Sequence, residues 1–155
     1  MTWKSGVDIL SFGATKNGAF SAEMIVYFKK ELSKNVQYYR KRSGHLISKM
    51  RFISAQLNSY IENDLWKRNA SQANLTAFQL SKSLQKISGL KVVYPVQANG
   101  VFVKLPDHLV KKLREKGFKF GIWGDKSKKI YRLMTAFNTT NDSVKNFIEN
   151  IEKNI

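Results

Sequence analysis

Cysteine is absent from this 155-residue chain, proline and histidine occur only twice each, and acidic side chains number 11 against 27 Lys and Arg. Without cysteine there is no disulfide scaffold, no thiolate-ligated zinc and no thiol nucleophile, a composition that fits a reducing, cytoplasmic compartment. The longest apolar runs, such as Met24 to Phe28, are far too short to span a bilayer, so no membrane partner is expected. The opening residues Met1 to Asp8 lack a basic region followed by an apolar stretch, and do not read as a signal peptide. His45 falls just past an expected helix end and His108 in the first turn of another, where dipole and surface roles are ordinary. No His and carboxylate cluster suggests a metal, no Ser-His-Asp ordering suggests a hydrolase, and no Gly-rich nucleotide loop is found. The Asn-x-Ser/Thr triplets at Asn69, Asn74, Asn138 and Asn141 read as chance matches in an Asn-rich chain.

What is present is a globular composition, 43% hydrophobic and 12% aromatic, of one domain's length. The net charge is +16. Such a charge suits either a polyanionic partner or a drift in composition. Lysines number 21 and arginines 6, beside 12 asparagines. That skew is expected of AT-rich coding, whereas phosphate and base recognition favours the bidentate arginine fork. The lysines are dispersed, with denser spots only at Arg40-Lys41-Arg42 and Lys126 to Lys129. No nucleic-acid partner is therefore expected. A basic nucleic-acid-binding module stays as the alternative from another class, resting on those two spots.

Along the chain, residues 7–28 read as strand, turn, strand, and Lys29 to Arg42 as helical up to a stop at Gly44. A helix is predicted over Ile47 to Ile61, with Ile47, Met50, Ser54, Leu57 and Ile61 on one face, and another over Leu65 to Ser88. After Gly89 the pattern changes. Strands are predicted at Leu90 to Tyr94, Val101 to Leu105, Phe118 to Trp123 and Lys129 to Ala136, with a helix from Pro106-Asp107 to Gly117. A last helix starts at Thr140 or Asn141 and buries Val144, Phe147, Ile148 and Ile151. The tail is thus ββαββα, a small sheet with helices on one face. The front two strands are marginal as a pair; they either join that sheet or belong to a larger one, and the second is expected.

Between those front strands lies Ser11-Phe12-Gly13-Ala14-Thr15-Lys16-Asn17-Gly18-Ala19-Phe20. A lysine offered on a tight, Gly-flanked turn is what an enzyme needs to hold a carbonyl cofactor as a Schiff base. Composition alone leaves Lys16 as one surface lysine among 21. Arg132, in the alternating stretch Ile130 to Met134, is costly to fix there unless it is paired. It reads either as gripping a carboxylate or as a sheet-edge arginine reaching solvent.

The segment Asp8 to Ala19 resembles the cofactor-lysine segment of the low-specificity L-threonine aldolases, pyridoxal-phosphate enzymes of the aspartate-aminotransferase fold. Arg40 to His45, Lys49 to Gln56 and Asp64 to Ala70 are similar to the helical segments that follow, and Tyr131 to Thr135 to the family's arginine-bearing strand. The resemblance covers only the C-terminal half of such an enzyme, so it implies a truncated aldolase. The implied fold is α/β, the C-terminal part of the aspartate-aminotransferase-like fold ending in a small ββαββα domain. Residues 1–46 would be the end of the large cofactor-binding domain, 47–88 connecting helices and 89–155 the small domain. The implied reaction is cleavage of L-threonine or L-allo-threonine to glycine and acetaldehyde. Pyridoxal 5'-phosphate would be covalent on Lys16, with Arg51 and Thr15 binding it and Arg132 binding the amino-acid substrate. Thr15 and Asn17 either bond the phosphate or shape the turn, and Gly13 and Gly18 allow close backbone approach. The family's ring-stacking histidine and pyridine-pairing aspartate have no match here. A non-catalytic remnant, or one half of a split aldolase with a separately encoded N-terminal half, is the alternative. The family forms homo-oligomers, and a chain with part of the sheet missing would expose apolar surface.

Overall fold

Two apolar runs with alternating burial pair as an antiparallel hairpin, β1 (Ile9–Gly13) and β2 (Glu23–Tyr27), in register from Ile9 opposite Tyr27 to Gly13 opposite Glu23. These come from a computed structural model that describes residues 2–155; Met1, which opens the expected 1–46 segment, lies outside the described residues. The chain divides into two units after Lys67, each with its own buried cluster. The hairpin forms a sheet of its own rather than joining the four strands of the tail. Asp8 and Lys29 extend it by an ion pair of 2.7 Å, half exposed and so worth little.

The remaining elements of the first unit are helical. The stretch expected as one helix from Lys29 to Arg42 is instead a 3-10 turn, Lys30–Ser33, followed by α1 (Val36–Arg42), because Asn35 at φ −116° and ψ 13° breaks the turn between them. Gly44, at φ +73°, ends it as expected. Next comes α2 (Met50–Ile61), shorter than predicted by its first turn. Of its predicted inward face, Leu57 does pack in, joined by Ile53 and the buried Tyr60, while Ile47, Ser54 and Ile61 are exposed. Asn63 and Asp64 both take left-handed backbone (φ 52° and 56°), which no continuous helix of L-residues sustains, and so separate α2 from α3 (Leu65–Leu84).

The second unit, Arg68 to Ile155, holds most of α3 followed by the expected ββαββα. The latter comprises β3 (Lys91–Val92), β4 (Gly100–Lys104), α4 (Asp107–Glu115), β5 (Gly121–Ile122), β6 (Ile130–Met134) and α5 (Asn141–Glu152). The strands are antiparallel in the order β3-β4-β6-β5. One face carries Val101, Val103, Tyr131 and Leu133 against Ala77, Leu80 and Leu84 of α3, Leu109 and Leu113 of α4, and Phe147 and Ile151 of α5. The two outer strands are shorter than expected. Phe118 and Phe120, predicted as part of a strand, turn inward instead, with ring centroids 5.0 Å and 6.3 Å from Phe147. Thr140 caps α5 by accepting the Ser143 N–H at 3.1 Å. Among the described residues no helix is long and apolar enough to cross a membrane.

Replacing the fully buried Leu109 by Ala is expected to cost about 2–5 kcal/mol in urea denaturation, by lost burial plus the cavity left behind. The half-exposed Leu75→Ala should change stability by about 0.5 kcal/mol or less. Equal effects at the two positions would contradict the core assignment. A second expectation concerns Asp125, whose carboxylate accepts the Ser127 N–H at 2.9 Å. That backbone hydrogen bond, followed by the Ser127 side chain, holds its pKa below the ordinary 3.8. A depressed carboxylate stabilises the fold above its unfolded pKa, and the contribution disappears as pH falls through the lowered value. An NMR titration should find its midpoint below that of an unfolded peptide; a midpoint at or above the peptide's would contradict the cap.

Candidate functional site

The end of the hairpin is built so that a lysine is presented while its neighbours are held. Ala14 and Ala22 are fully buried, and the Ala14 N–H donates to the Ala22 carbonyl at 2.9 Å. Only small side chains fit there, since the Tyr60 ring packs on them in the same cluster. Thr15–Asn17 form one 3-10 turn, closed by Asn17 and Ala19 N–H groups donating to the Ala14 carbonyl at 3.0 and 3.1 Å. Gly18 follows at φ +117°, where a side chain is disfavoured. Ser21, at φ +69°, is a non-glycine residue in left-handed backbone where the chain re-enters β2.

Both residues flanking Lys16 are fixed by hydrogen bonds. The Thr15 hydroxyl accepts the Ala22 N–H at 3.1 Å and lies 3.4 Å from its carbonyl, so its bonds shape the turn. The Asn17 side-chain amide donates to the Tyr60 hydroxyl at 2.6 Å and to the Trp66 carbonyl at 3.0 Å. One helical turn before Tyr60, Gln56 accepts the Phe20 N–H at 2.7 Å. Beneath them Phe12 packs edge-on to Trp66, centroids 6.0 Å apart, and on Tyr60 at 5.9 Å. Lys16 itself is exposed and takes part in no ion pair among the described residues.

Gly13 does not supply left-handed freedom; it is the last residue of β1, and an added Cβ would meet only the flexible end of Glu23, 2.2 Å from Oε2. Arg51 sits exposed in the first turn of α2, its guanidinium 4.9 Å from the centre of the Phe52 ring. Arg42 ends α1, and Lys126–Lys128 form a 3-10 turn before β6; both basic spots are exposed. His108 is exposed, as expected, and His45 is exposed as well.

In the second unit, Arg132 is not at a sheet edge, because β6 is paired on both sides. It lies on the sheet face that the helices leave open, opposite Phe102, with its guanidinium 5.4 Å from the Trp123 ring. Tyr94, Phe102 and Trp123 form a ladder of edge-on contacts at 5.5 and 5.0 Å. Among the described residues Arg132 has no carboxylate partner. The strand that carries it is pinned at Thr135, whose hydroxyl donates to the Ala73 carbonyl at 2.7 Å, while Asn99 donates to the Thr135 carbonyl at 2.8 Å. Two clefts also occur in this unit. One of about 570 Å³ is lined by Asp107, Lys111, Arg114 and Glu115, and one of about 200 Å³ by Leu80, Phe120, Leu133 and Phe147. Neither is lined by Arg132. Among the described residues no group of His, Cys, Asp and Glu is arranged to hold a metal.

Tyr60, Gln56 and Thr135 were not marked by the sequence pattern. Tyr60 was detectable as an aromatic residue on an apolar helix; polar Gln56 and its distant backbone partner left no local signal.

No family model matches the chain. Over 120 residues it is 42% identical to the low-specificity L-threonine aldolase of Pseudomonas sp. (strain NCIMB 10558), covering 77% of this chain and 35% of that protein. It is 39% identical, over the same shares, to the low-specificity L-threonine aldolase of Pseudomonas aeruginosa. The structure of Leishmania major threonine aldolase matches 95% of this chain and 43% of its own, with a TM-score of 0.86 at 23% identity. The chain therefore spans 35% of the length of the curated relatives it matches. Over that part it is similar to the low-specificity L-threonine aldolases, and its α/β fold matches a portion of the fold of the Leishmania major threonine aldolase and of a NifS-like protein (TM-score 0.66, 17% identity).

The two glycines of the turn should respond differently to substitution. Gly18→Ala is expected to cost about 1–2 kcal/mol in urea denaturation, because φ is positive there. Gly13→Ala should change stability by less than about 1 kcal/mol, with Glu23 swinging aside. The reverse order would contradict this turn geometry.

Proposed function

We propose that this chain is the cofactor-lysine part of a pyridoxal-phosphate-dependent aldolase that cleaves L-threonine and L-allo-threonine to glycine and acetaldehyde. The observation that carries the reading is Lys16, an exposed amine with no ion pair among the described residues, on a turn whose flanking residues are both tied down. An amine in that state suits covalent capture of an aldehyde. When bound, pyridoxal phosphate supplies an electron sink that accepts the electrons of the broken Cα–Cβ bond.

The chain's own residues would do the rest by holding and orienting. Lys16 holds the cofactor through its Nζ. Arg51, exposed at the start of α2, offers a guanidinium to the phosphate. Thr15 acts on the same group chiefly by setting the turn, since its hydroxyl is engaged with Ala22. Arg132 supplies a planar fork for the substrate α-carboxylate, with Trp123 backing its guanidinium. On this reading residues 1–46 are the end of the large domain, 47–88 the connecting helices and 89–155 the small domain.

The second reading is a non-catalytic remnant, or one half of a split aldolase completed by a separately made N-terminal half. A homo-oligomer, as in the family, is the proposed assembly of the complete enzyme.

Titrating the purified chain with pyridoxal phosphate, then adding L-threonine, separates these readings. A visible absorption band lost in Lys16→Ala, with acetaldehyde released, is the outcome expected of an autonomous enzyme. The same band without acetaldehyde selects the second reading. If no band forms, the claim of autonomous activity ends; a band that Lys16→Ala leaves unchanged shows that Lys16 is not the cofactor lysine.

A further inference from the structure

We propose that Tyr60, Gln56 and Asn17 are positioning residues for Lys16: α2 holds the lysine turn at two points just after the lysine and so makes this amine more reactive toward an aldehyde than the other lysines. The inference rests on the reading of Lys16 as the cofactor lysine and adds what makes it competent.

The geometry has three parts. First, Gln56 and Tyr60 are four residues apart on α2, so they lie on one helix face, about one 5.4 Å turn apart. They reach the turn at two points that both follow the lysine, Tyr60 at Asn17 and Gln56 at Phe20. Second, the bonds are mutually required. Tyr60 is 5% exposed, and a buried phenol without a partner is destabilising. Both hydrogens of an amide NH2 are available as donors, and Asn17 places its nitrogen against the Tyr60 hydroxyl and the Trp66 carbonyl. Third, the grip stops at the backbone and at the neighbours. Lys16 keeps its side chain in solvent with no ion pair among the described residues. A turn already ordered loses less entropy when its amine is placed against a carbonyl carbon. Fixing the base of the side chain therefore favours capture here over capture at lysines on looser backbone.

The test uses the full chain and pyridoxal phosphate itself as the aldehyde probe, followed by borohydride reduction and peptide mapping of all 21 lysines. The readout is Lys16's share of the total label, a quantity that general loosening of the fold would not lower selectively. In the wild type Lys16 should carry the largest share. Tyr60→Phe keeps the ring on Phe12 but removes the hydroxyl, and should lower that share roughly tenfold, the equivalent of one lost hydrogen bond. Gln56→Met removes the acceptor for Phe20 with similar volume and should act in the same direction, which keeps the test decisive if Tyr60→Phe folds poorly. A wild-type preference for Lys16 that persists in both variants would overturn the positioning role and leave the cofactor-lysine reading standing. If the wild type shows no preference for Lys16, that reading fails and the positioning role goes with it.

Discussion

The first unit depends on one side-chain amide. A two-stranded hairpin is marginal in water by itself, and the cluster beneath this one is small, with only Ala14, Ala22 and Tyr60 buried among the described residues. Trp3, Phe20, Ile25 and Tyr38 remain largely exposed. Hydrophobic burial alone therefore gives the hairpin tip little definition. Asn17 supplies it, by joining the turn to the Tyr60 hydroxyl on α2 and to the Trp66 carbonyl at the start of α3. Directional bonds of this kind contribute modestly to net stability but strongly disfavour other arrangements, because each lost partner strands a polar group.

The second unit is organised by the opposite principle. Three helices bury one sheet face, with Leu84, Val101, Val103, Leu109, Leu113 and Ile151 essentially out of solvent. That burial holds a rigid sheet whose other face is left open, and on it stand Arg132 and the aromatic ladder of Tyr94, Phe102 and Trp123. An arginine in the middle of a sheet normally needs an anionic partner or solvent. Here the ring of Trp123 supports it without neutralising it, so the fork stays available to a carboxylate. The core thus stabilises, and the open face leaves the Arg132 guanidinium exposed.

How far the sequence disclosed this follows from which forces are local. The lysine turn was legible because Gly18 and the flanking apolar runs act within a few residues. The ββαββα order was legible because alternation and helical periodicity change visibly at Gly89. The inward face of α2 was legible only in part. Apolar spacing pointed to Ile47, Met50, Ser54, Leu57 and Ile61, of which Leu57 packs inward, whereas Tyr60 and Gln56 turn inward because they satisfy groups 43 and 36 residues away. The outer strands were overestimated for a related reason. Alternation marks residues able to form strand, but Phe118 and Phe120 are drawn to Phe147 and leave the ladder. Arg132 was placed on the right strand, yet its central position and its Trp123 support depend on strand order, which no local pattern encodes.

The account stands or falls on what condenses with the coenzyme. A crystal structure of the chain grown with pyridoxal phosphate and treated with borohydride tests it most directly. The account predicts continuous density from Nζ of Lys16 into the coenzyme, with Asn17 still bonded to the Tyr60 hydroxyl. Coenzyme attached at other lysines, with Lys16 bare, would contradict it.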